Sequence, residues 1–360
     1  MFFVAIIVVV IIEVSVRLFY PETRLDKITK IIEPHSIRFW RGKASFKDKF
    51  FDAYVEHNSL GLRAREDISN TDLLVLGASP SYGWGVEFNE IYSSLLERKL
   101  NTLKKDVKVT NASSIGYSSF QGNLLLKELL EISKPKIVLI AYVINDVDRY
   151  RFFSNNHLSD VEVEHSESGD TRQFIENNYF TGKLLRNLLS SEEKLPTPGK
   201  IRVNETEYRK NISEMIKAVK SVGGIPILLK MPVMLHENNV SLDFQNYLRD
   251  INCKKFLNSD EKLYECIKNS KGDSRYMFSE NELRKVMAMN SSRRTVEYHN
   301  ILDRLAEKFK ISIINPVSVF HESDEYLFLH ENLDPIHPNP KGHKIISELI
   351  YNEIIKKNLL

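Results

Sequence analysis

Neither sign of charge dominates this chain of 360 residues, with 50 Lys and Arg against 48 Asp and Glu. At a formal charge of +2 there is no one-signed field to gather nucleic acid without sequence preference. Nucleic acid is not an expected partner. Cysteine is scarce as well: Cys253 and Cys266 are the only two, and neither belongs to a Cys-x-x-Cys pair. That spacing does not support a zinc site. The pair is either a local disulfide of an oxidising compartment or two unrelated thiols. The histidines show no ligand spacing, so no metal is expected, and there are no internal repeats.

Long apolar runs are missing everywhere except at the start. Phe2 to Ile12 is unbroken apolar or small sequence, Glu13 interrupts it, and Val14 to Tyr20 continues with Arg17 inside. A membrane helix takes about 20 mostly apolar residues. Residues 1–20 therefore read as a short membrane span or signal-anchor, with a cleaved signal or a buried helix as alternatives. No small-residue cleavage site is evident and no basic residues precede the run, as though the chain began a few residues late. Arg17, Arg24, Lys27 and Lys30 follow it, which the positive-inside tendency would place in the cytoplasm.

Residues 21–70 form a mixed, aromatic-rich extension without a sustained period, ending in a turn at Asn58-Ser59-Leu60-Gly61-Leu62-Arg63. A strand-then-helix rhythm begins near residue 72. Short apolar strands are expected at Leu73–Leu76, Val107–Thr110, Lys136–Val143, Ile225–Lys230 and Ile311–Ile314. Helices are expected over about Glu87–Leu103, Phe120–Ser133, Glu205–Val222, Thr295–Lys310 and Pro340–Lys357. Polar, Gly- and Pro-punctuated sequence marks a surface insertion at about 150–200. A second insertion at about 235–290 is highly charged and helical in character. The expected organisation is an anchor at 1–20, an extension at 21–70 and one domain at 71–360 carrying both insertions. Five strands alternating with helices imply a parallel sheet with right-handed crossovers and helices on both faces. Ligands of such sheets bind beyond the carboxyl ends of the strands.

Four strand ends carry reactive or permissive residues. Gly77-Ala78-Ser79-Pro80-Ser81-Tyr82-Gly83-Trp84-Gly85 follows the first, and Asn111-Ala112-Ser113-Ser114-Ile115-Gly116 the second. Asn145-Asp146 follows the third, and Asp334-Pro335-Ile336-His337-Pro338-Asn339 follows the fifth across a short loop. A serine hydroxyl needs a base to become a nucleophile, and histidine suits that task near neutral pH. An aspartate three residues before the histidine can hold the far imidazole nitrogen and fix its tautomer. Gly116 N–H and the Asn145 amide are suitable donors to a developing oxyanion. Pro80 disfavours the lipase-like elbow, in which the residue after the nucleophile donates its N–H, because proline has none. The segment also reads Gly-x-Ser-x-Ser, so Ser79 itself must supply the backbone donor.

These four blocks resemble those of SGNH (GDSL-like) hydrolases: Gly77–Ser79, Gly116, Asn145, and Asp334 with His337, spread over residues 72–357. Asn-Ser-Leu-Gly-Leu-Arg behind an apolar start is similar to bacterial members whose body lies outside the cytoplasm. The resemblance implies a flavodoxin-like three-layer α/β/α sandwich, no cofactor, and hydrolysis or transfer of ester-linked acyl groups. It implies Ser79 as nucleophile, His337 as base, Asp334 as its orienting acid, and Ser79, Gly116 and Asn145 as the oxyanion hole. Ala78 replaces the usual Asp and Val143 stands where Gly often precedes the Asn-Asp pair. The first is expected to loosen the nucleophile turn or alter its hydrogen bonds, the second to narrow the pocket.

Each residue also has a bland role. Ser79 would serve as a helix N-cap, Asp334 as an Asp-Pro turn starter, and Gly116 for its backbone angles alone. Ser81 is the near rival of Ser79, Asp146 and Asp148 are structural, and His343 is a packing residue. Tyr82 and Trp84 line an acyl pocket or pack the core. The expected activity is a serine ester hydrolase acting on an ester substrate, with O-acetyl groups of an envelope or secreted carbohydrate in view. Acyl transfer to a polysaccharide by the same triad is the alternative. A catalytically silent glycan-binding or assembly protein, motivated by Ala78, is the reading from another class. The expected location is membrane-anchored, with the body extracytoplasmic.

Overall fold

The computed structural model describes residue 15 and residues 24–103, 106–149, 158–165, 198–234, 241–270, 279–330 and 334–360. The expected anchor at 1–20, Ser15 apart, and most of the insertion at 150–200 lie outside the described residues. Among the described residues no helix is long and apolar enough to cross a membrane.

The extension is built, where periodicity suggested nothing regular. Helix α1 (Arg24–Ile31) leads into two antiparallel hairpins, β1 (Ile32–His35) with β2 (Phe39–Gly42) and β3 (Lys47–Phe50) with β4 (Ala53–Glu56). Each strand is four residues long, too short for an alternation to register in sequence. The expected turn after them is closed by Asn58, whose Oδ1 accepts from the N–H of Leu60 and of Leu62, both at 3.0 Å.

Five parallel strands form the core: β5 (Leu73–Gly77), β6 (Val109–Asn111), β7 (Ile137–Ala141), β8 (Ile225–Leu229) and β9 (Ser312–Ile314). They match the expected strands and lie in the spatial order β6-β5-β7-β8-β9, the flavodoxin-like order. β5 and β7 are buried along their whole length, which explains their unbroken apolar runs. Each buried aliphatic side chain contributes about 1.5–3 kcal/mol relative to exposure. The ends of these central strands are therefore the fixed points from which the site loops leave.

The helices follow from the crossovers. After the single-turn α2 (Ser79–Tyr82) come α3 (Tyr92–Leu100), α4 (Ser119–Ile132), α5 (Asp160–His165) and α6 (Glu205–Ser221). Then come α7 (Leu242–Asp250), α8 (Asp260–Asn269), α9 (Ser279–Phe309), α10 (Val317–Glu322) and α11 (Pro340–Lys356). The step from β5 to β6 runs to one side, and the later steps run to the other. Right-handed connections thus put α3 on one face and α4, α6 and α9 on the opposite face. The packing agrees, since α3 pairs with α11 while α4 packs on α6 and α6 on α9. The result is an α/β sandwich with the parallel sheet in its middle.

Two expectations need correction. The helix foreseen at Thr295–Lys310 begins at Ser279 and runs unbroken for 31 residues. Asn290-Ser291-Ser292 weakens helix propensity without supplying a Gly or Pro to stop it. The early part of α9 packs with α7 and α8 into a second small core around Phe244, Tyr247, Leu263, Leu283 and Val286, so the described part of the insertion at 235–290 is largely helical. Cys253 and Cys266 are joined there by a disulfide. The second correction concerns the segment between β9 and Asp334. It is not a short loop: α10 intervenes, and then the hairpin of β10 (Phe328–His330) and β11 (Asp334–Pro338).

Candidate active site

At the carboxyl end of β5, Gly77 turns the chain into α2. A Cβ on Gly77 would meet Ser81 Oγ at 2.5 Å and Ala141 O at 3.1 Å, so only glycine lets the turn sit this close to the sheet. The turn closes on backbone alone: the N–H groups of Ser81 and Tyr82 donate to Ala78 O at 3.0 and 2.8 Å. Ala78, buried and without a side-chain cap to offer, does not leave the turn open. Ser79 begins the helix, so its N–H has no intrahelical acceptor.

Across 258 positions of sequence, His337 Nε2 lies 2.8 Å from Ser79 Oγ. Its Nδ1 lies 2.7 Å from both Oδ1 and Oδ2 of Asp334. The carboxylate accepts, so Nδ1 carries the proton and Nε2 is left to accept from the Ser79 hydroxyl. Asp334 Oδ1 also accepts from the backbone N–H of His337 at 3.1 Å and of Ile336 at 3.4 Å. Burial acts to raise the Asp334 pKa, but the hydrogen bond and charge of His337, joined by these N–H groups, hold it below the usual carboxylate value. Ser79 and His337 are 7% and 3% exposed, which strengthens their interaction by excluding water. Asn339 locks the hairpin to α11. Its Oδ1 accepts from Gly342 N–H at 3.0 Å, and its Nδ2 donates to Tyr326 O and Phe328 O at 2.8 and 3.0 Å.

The extension reaches this turn from behind. The Trp84 indole stacks on the His337 ring, centroids 5.1 Å apart and 15° from parallel. Phe50 and Phe51 back the indole at 4.9 Å each. Tyr82 is buried too, its hydroxyl 2.8 Å from His57 Nε2. Tyr82 and Trp84 are both packed, Trp84 against the ring of His337. His57 Nδ1 faces Lys43 O at 2.9 Å and must donate to it, so Nε2 accepts from Tyr82. Burial foremost, with the Arg63 charge adding, lowers the His57 pKa to about 4. Arg63 is 1% exposed and donates to the carbonyls of Tyr82, Gly83 and Val86, with its guanidinium 4.8 Å from the Tyr82 ring centre.

Gly116 and Asn145 stand on the loops leaving the same ends of β6 and β7. Neither hydrogen-bonds to Ser79, His337 or Asp334; they are joined to each other's loop instead. Asn145 Nδ2 donates to Tyr117 O at 3.0 Å, which leaves the second of its two amide donors. Gly116 has φ 73°, a value that strains any residue with a Cβ, and its carbonyl accepts from Arg202 Nη1 at 2.7 Å. Val143, two residues beyond the end of β7, is buried in the core.

The remaining sequence candidates lie outside the hydrogen-bonded set of Ser79, His337 and Asp334. Ser81 is fully buried and its Oγ is directed at Met231 Sδ, 3.6 Å away. Asp146 is buried and accepts from Ser119 N–H at 2.8 Å; burial raises its pKa to about 7 against the pull of that bond. Asp148 Oδ1 accepts from Arg149 N–H at 2.6 Å. His343 packs against Tyr92 at 5.8 Å and accepts from its N–H at 3.3 Å. Among the described residues no three His, Cys, Asp or Glu side chains group as metal ligands. Sequence inspection missed Arg63, Arg202, Asn339 and Trp40. Only Arg63 and Asn339 lay in segments whose pattern had drawn notice.

No protein-family model and no curated protein sequence matches the chain. Solved structures similar to it include TesA, 17% identical, covering 80% of this chain and 99% of that one at a TM-score of 0.42. A catalytic mutant of Axe2, an acetylxylan esterase from Geobacillus stearothermophilus, is 14% identical over 80% of this chain and 95% of its own, TM-score 0.43. The psychrotrophic esterase EstA from Pseudoalteromonas sp. is 17% identical over 80% and 98%, TM-score 0.39.

Proposed function

We propose that this chain is a serine ester hydrolase working through an acyl-enzyme, with Ser79, His337 and Asp334 as its triad. The observation that carries the proposal is the unbroken hydrogen-bond sequence Ser79 Oγ, His337 Nε2, His337 Nδ1, Asp334, at 2.8 and 2.7 Å. Ser79 Oγ attacks the ester carbonyl as its proton passes to His337 Nε2. Asp334 steadies the imidazolium that results, and the face of Trp84 lies against the same cation. The oxyanion is met by the N–H of Ser79, the N–H of Gly116 and the second amide donor of Asn145. His337 then gives its proton to the leaving alcohol, and water repeats the sequence to release the acid. The turn at Ala78 closes on backbone bonds, which supports the catalytic reading over that of a catalytically silent protein.

The finer part of the proposal is a substrate of O-acetylated carbohydrate outside the cytoplasm, with the chain held at a membrane by residues 1–20. The Cys253–Cys266 disulfide favours that location, because such bonds persist where the surroundings oxidise. A second reading keeps the same three residues and lets a sugar hydroxyl rather than water accept the acyl group. Release of acid from 4-nitrophenyl acetate and from an acetylated xylo-oligosaccharide, absent in Ser79→Ala, is the expected result. Acetyl appearing on an added oligosaccharide instead of as free acetate would assign transfer. Turnover unchanged by Ser79→Ala would remove the proposal.

A further inference from the structure

The hairpin of β1 and β2 lies outside the central sheet, yet its Trp40 is fully buried and meets the loop that follows β6. Trp40 Nε1 donates to Ile115 O at 2.8 Å. That carbonyl shares a peptide unit with Gly116 N–H. In a trans peptide the two point in opposite directions, and the described chain contains no cis bonds. Holding Ile115 O toward the indole therefore aims Gly116 N–H away from it. The next two carbonyls are pinned as well, Gly116 O by Arg202 at 2.7 Å and Tyr117 O by Asn145 at 3.0 Å. The brace is reciprocal, since Tyr117 Oη donates to Trp40 O at 2.6 Å. Its ring also meets the indole edge-on at 6.0 Å.

A phenylalanine would fill much of the same space but could not hold the carbonyl. Glycine tolerates either sign of φ, so the peptide before Gly116 is free to rotate once that bond is gone. A rotated peptide turns its N–H out of the site. Ile115 O is also a buried acceptor that needs a donor, and among the described residues the Trp40 indole supplies it.

We propose that Trp40 is a positioning residue of this active site: its indole N–H fixes the Ile115–Gly116 peptide and so aims the Gly116 N–H at the oxyanion. The extension is then part of the catalytic apparatus and not a spacer between anchor and domain. The inference rests on Gly116 being an oxyanion donor, as proposed above. Loss of one aimed donor costs roughly 10²–10³-fold in kcat when the donor is removed outright. A donor left in place but no longer aimed should cost less, on the order of tenfold.

The test uses the full chain and two replacements of the side chain. Trp40→Phe removes the N–H and part of the ring; a site-specific β-(3-benzothienyl)alanine replaces only the N–H by sulfur, keeping shape if the phenylalanine variant folds poorly. Both should lower kcat on 4-nitrophenyl acetate about tenfold with KM within twofold. Binding of a trifluoromethyl ketone, whose hemiketal carries the oxyanion, should weaken by the same factor. Unchanged kcat in the sulfur variant overturns the inference, as does a loss confined to KM or to melting temperature with the ketone bound as before. A wild-type protein that hydrolyses no ester and binds no ketone would instead overturn the proposed function, and the role of Trp40 with it.

Discussion

Replacing Asp334 by Asn separates hydrogen bonding from charge at the one position where both act on His337. The variant keeps a carbonyl oxygen to accept from the backbone N–H groups of His337 and Ile336, now met at 3.1 and 3.4 Å. It can therefore keep the shape of the loop. What changes lies at His337 Nδ1, 2.7 Å from both carboxylate oxygens. An amide nitrogen at the Oδ2 position donates, competes with the retained oxygen at Nδ1, and so favours the tautomer in which Nδ1 accepts and Nε2 carries the proton. A protonated Nε2 cannot take the hydrogen of Ser79 Oγ 2.8 Å away. The substitution also deprives the buried imidazolium of its counter-charge. The expected loss is on the order of 10⁴-fold in kcat, or about 5.4 kcal/mol at 1.36 kcal/mol per decade. Initial rates on 4-nitrophenyl acetate, with the melting temperature measured beside them, read this directly. A loss smaller than about tenfold in a folded variant would refute the tautomer argument and leave Asp334 as a turn former.

Asn145→Ala should lower kcat about 10²-fold, and a loss below about threefold would remove that amide from the oxyanion site. Burial foremost lowers His57 and His299 to about 4 and His343 to about 3, so each is neutral in the folded protein. Depressed folded values for bases mean that the unfolded chain binds protons first, so stability should fall as pH drops below 6.5 toward those values. Asp146, raised to about 7 by burial, acts the other way over the same range, so Asp146→Asn should steepen the loss. A melting temperature flat from pH 7 to 5 in that variant would contradict the burial argument. Exchanging Cys253 and Cys266 for Ser opens a link 13 residues apart and should cost roughly 3 kcal/mol. Faster hydrogen exchange should be confined to residues 241–290, and equal acceleration in β5 and β7 would mean the two cores are not separate.

The parts of this fold that were legible in sequence are those where one force acts over a long enough stretch. β7 is buried on both faces, so its run of Ile137-Val138-Leu139-Ile140-Ala141 is unmistakable. The grouping of Ser79, His337 and Asp334 was legible because serine–histidine–aspartate chemistry restricts residue types at strand ends, whatever lies between them. The short hairpins of the extension were not, since four residues carry too little alternation to separate strand from loop. Nor could any local pattern reveal that Trp40 meets Ile115, or that Phe50 and Phe51 back Trp84, because those contacts join distant segments through shape. The unbroken α9 was misread for a related reason: its stop signal at Asn290-Ser291-Ser292 is weak, and packing against two cores overrides it.

The central claim is that Ser79 is an activated nucleophile. Intact-mass spectrometry after exposure to a fluorophosphonate tests it without any assumption about the natural ester. One adduct is expected, mapped by peptide to Ser79 and lost in both Ser79→Ala and His337→Ala. An unmodified wild-type protein, or an adduct that survives in Ser79→Ala, would contradict it.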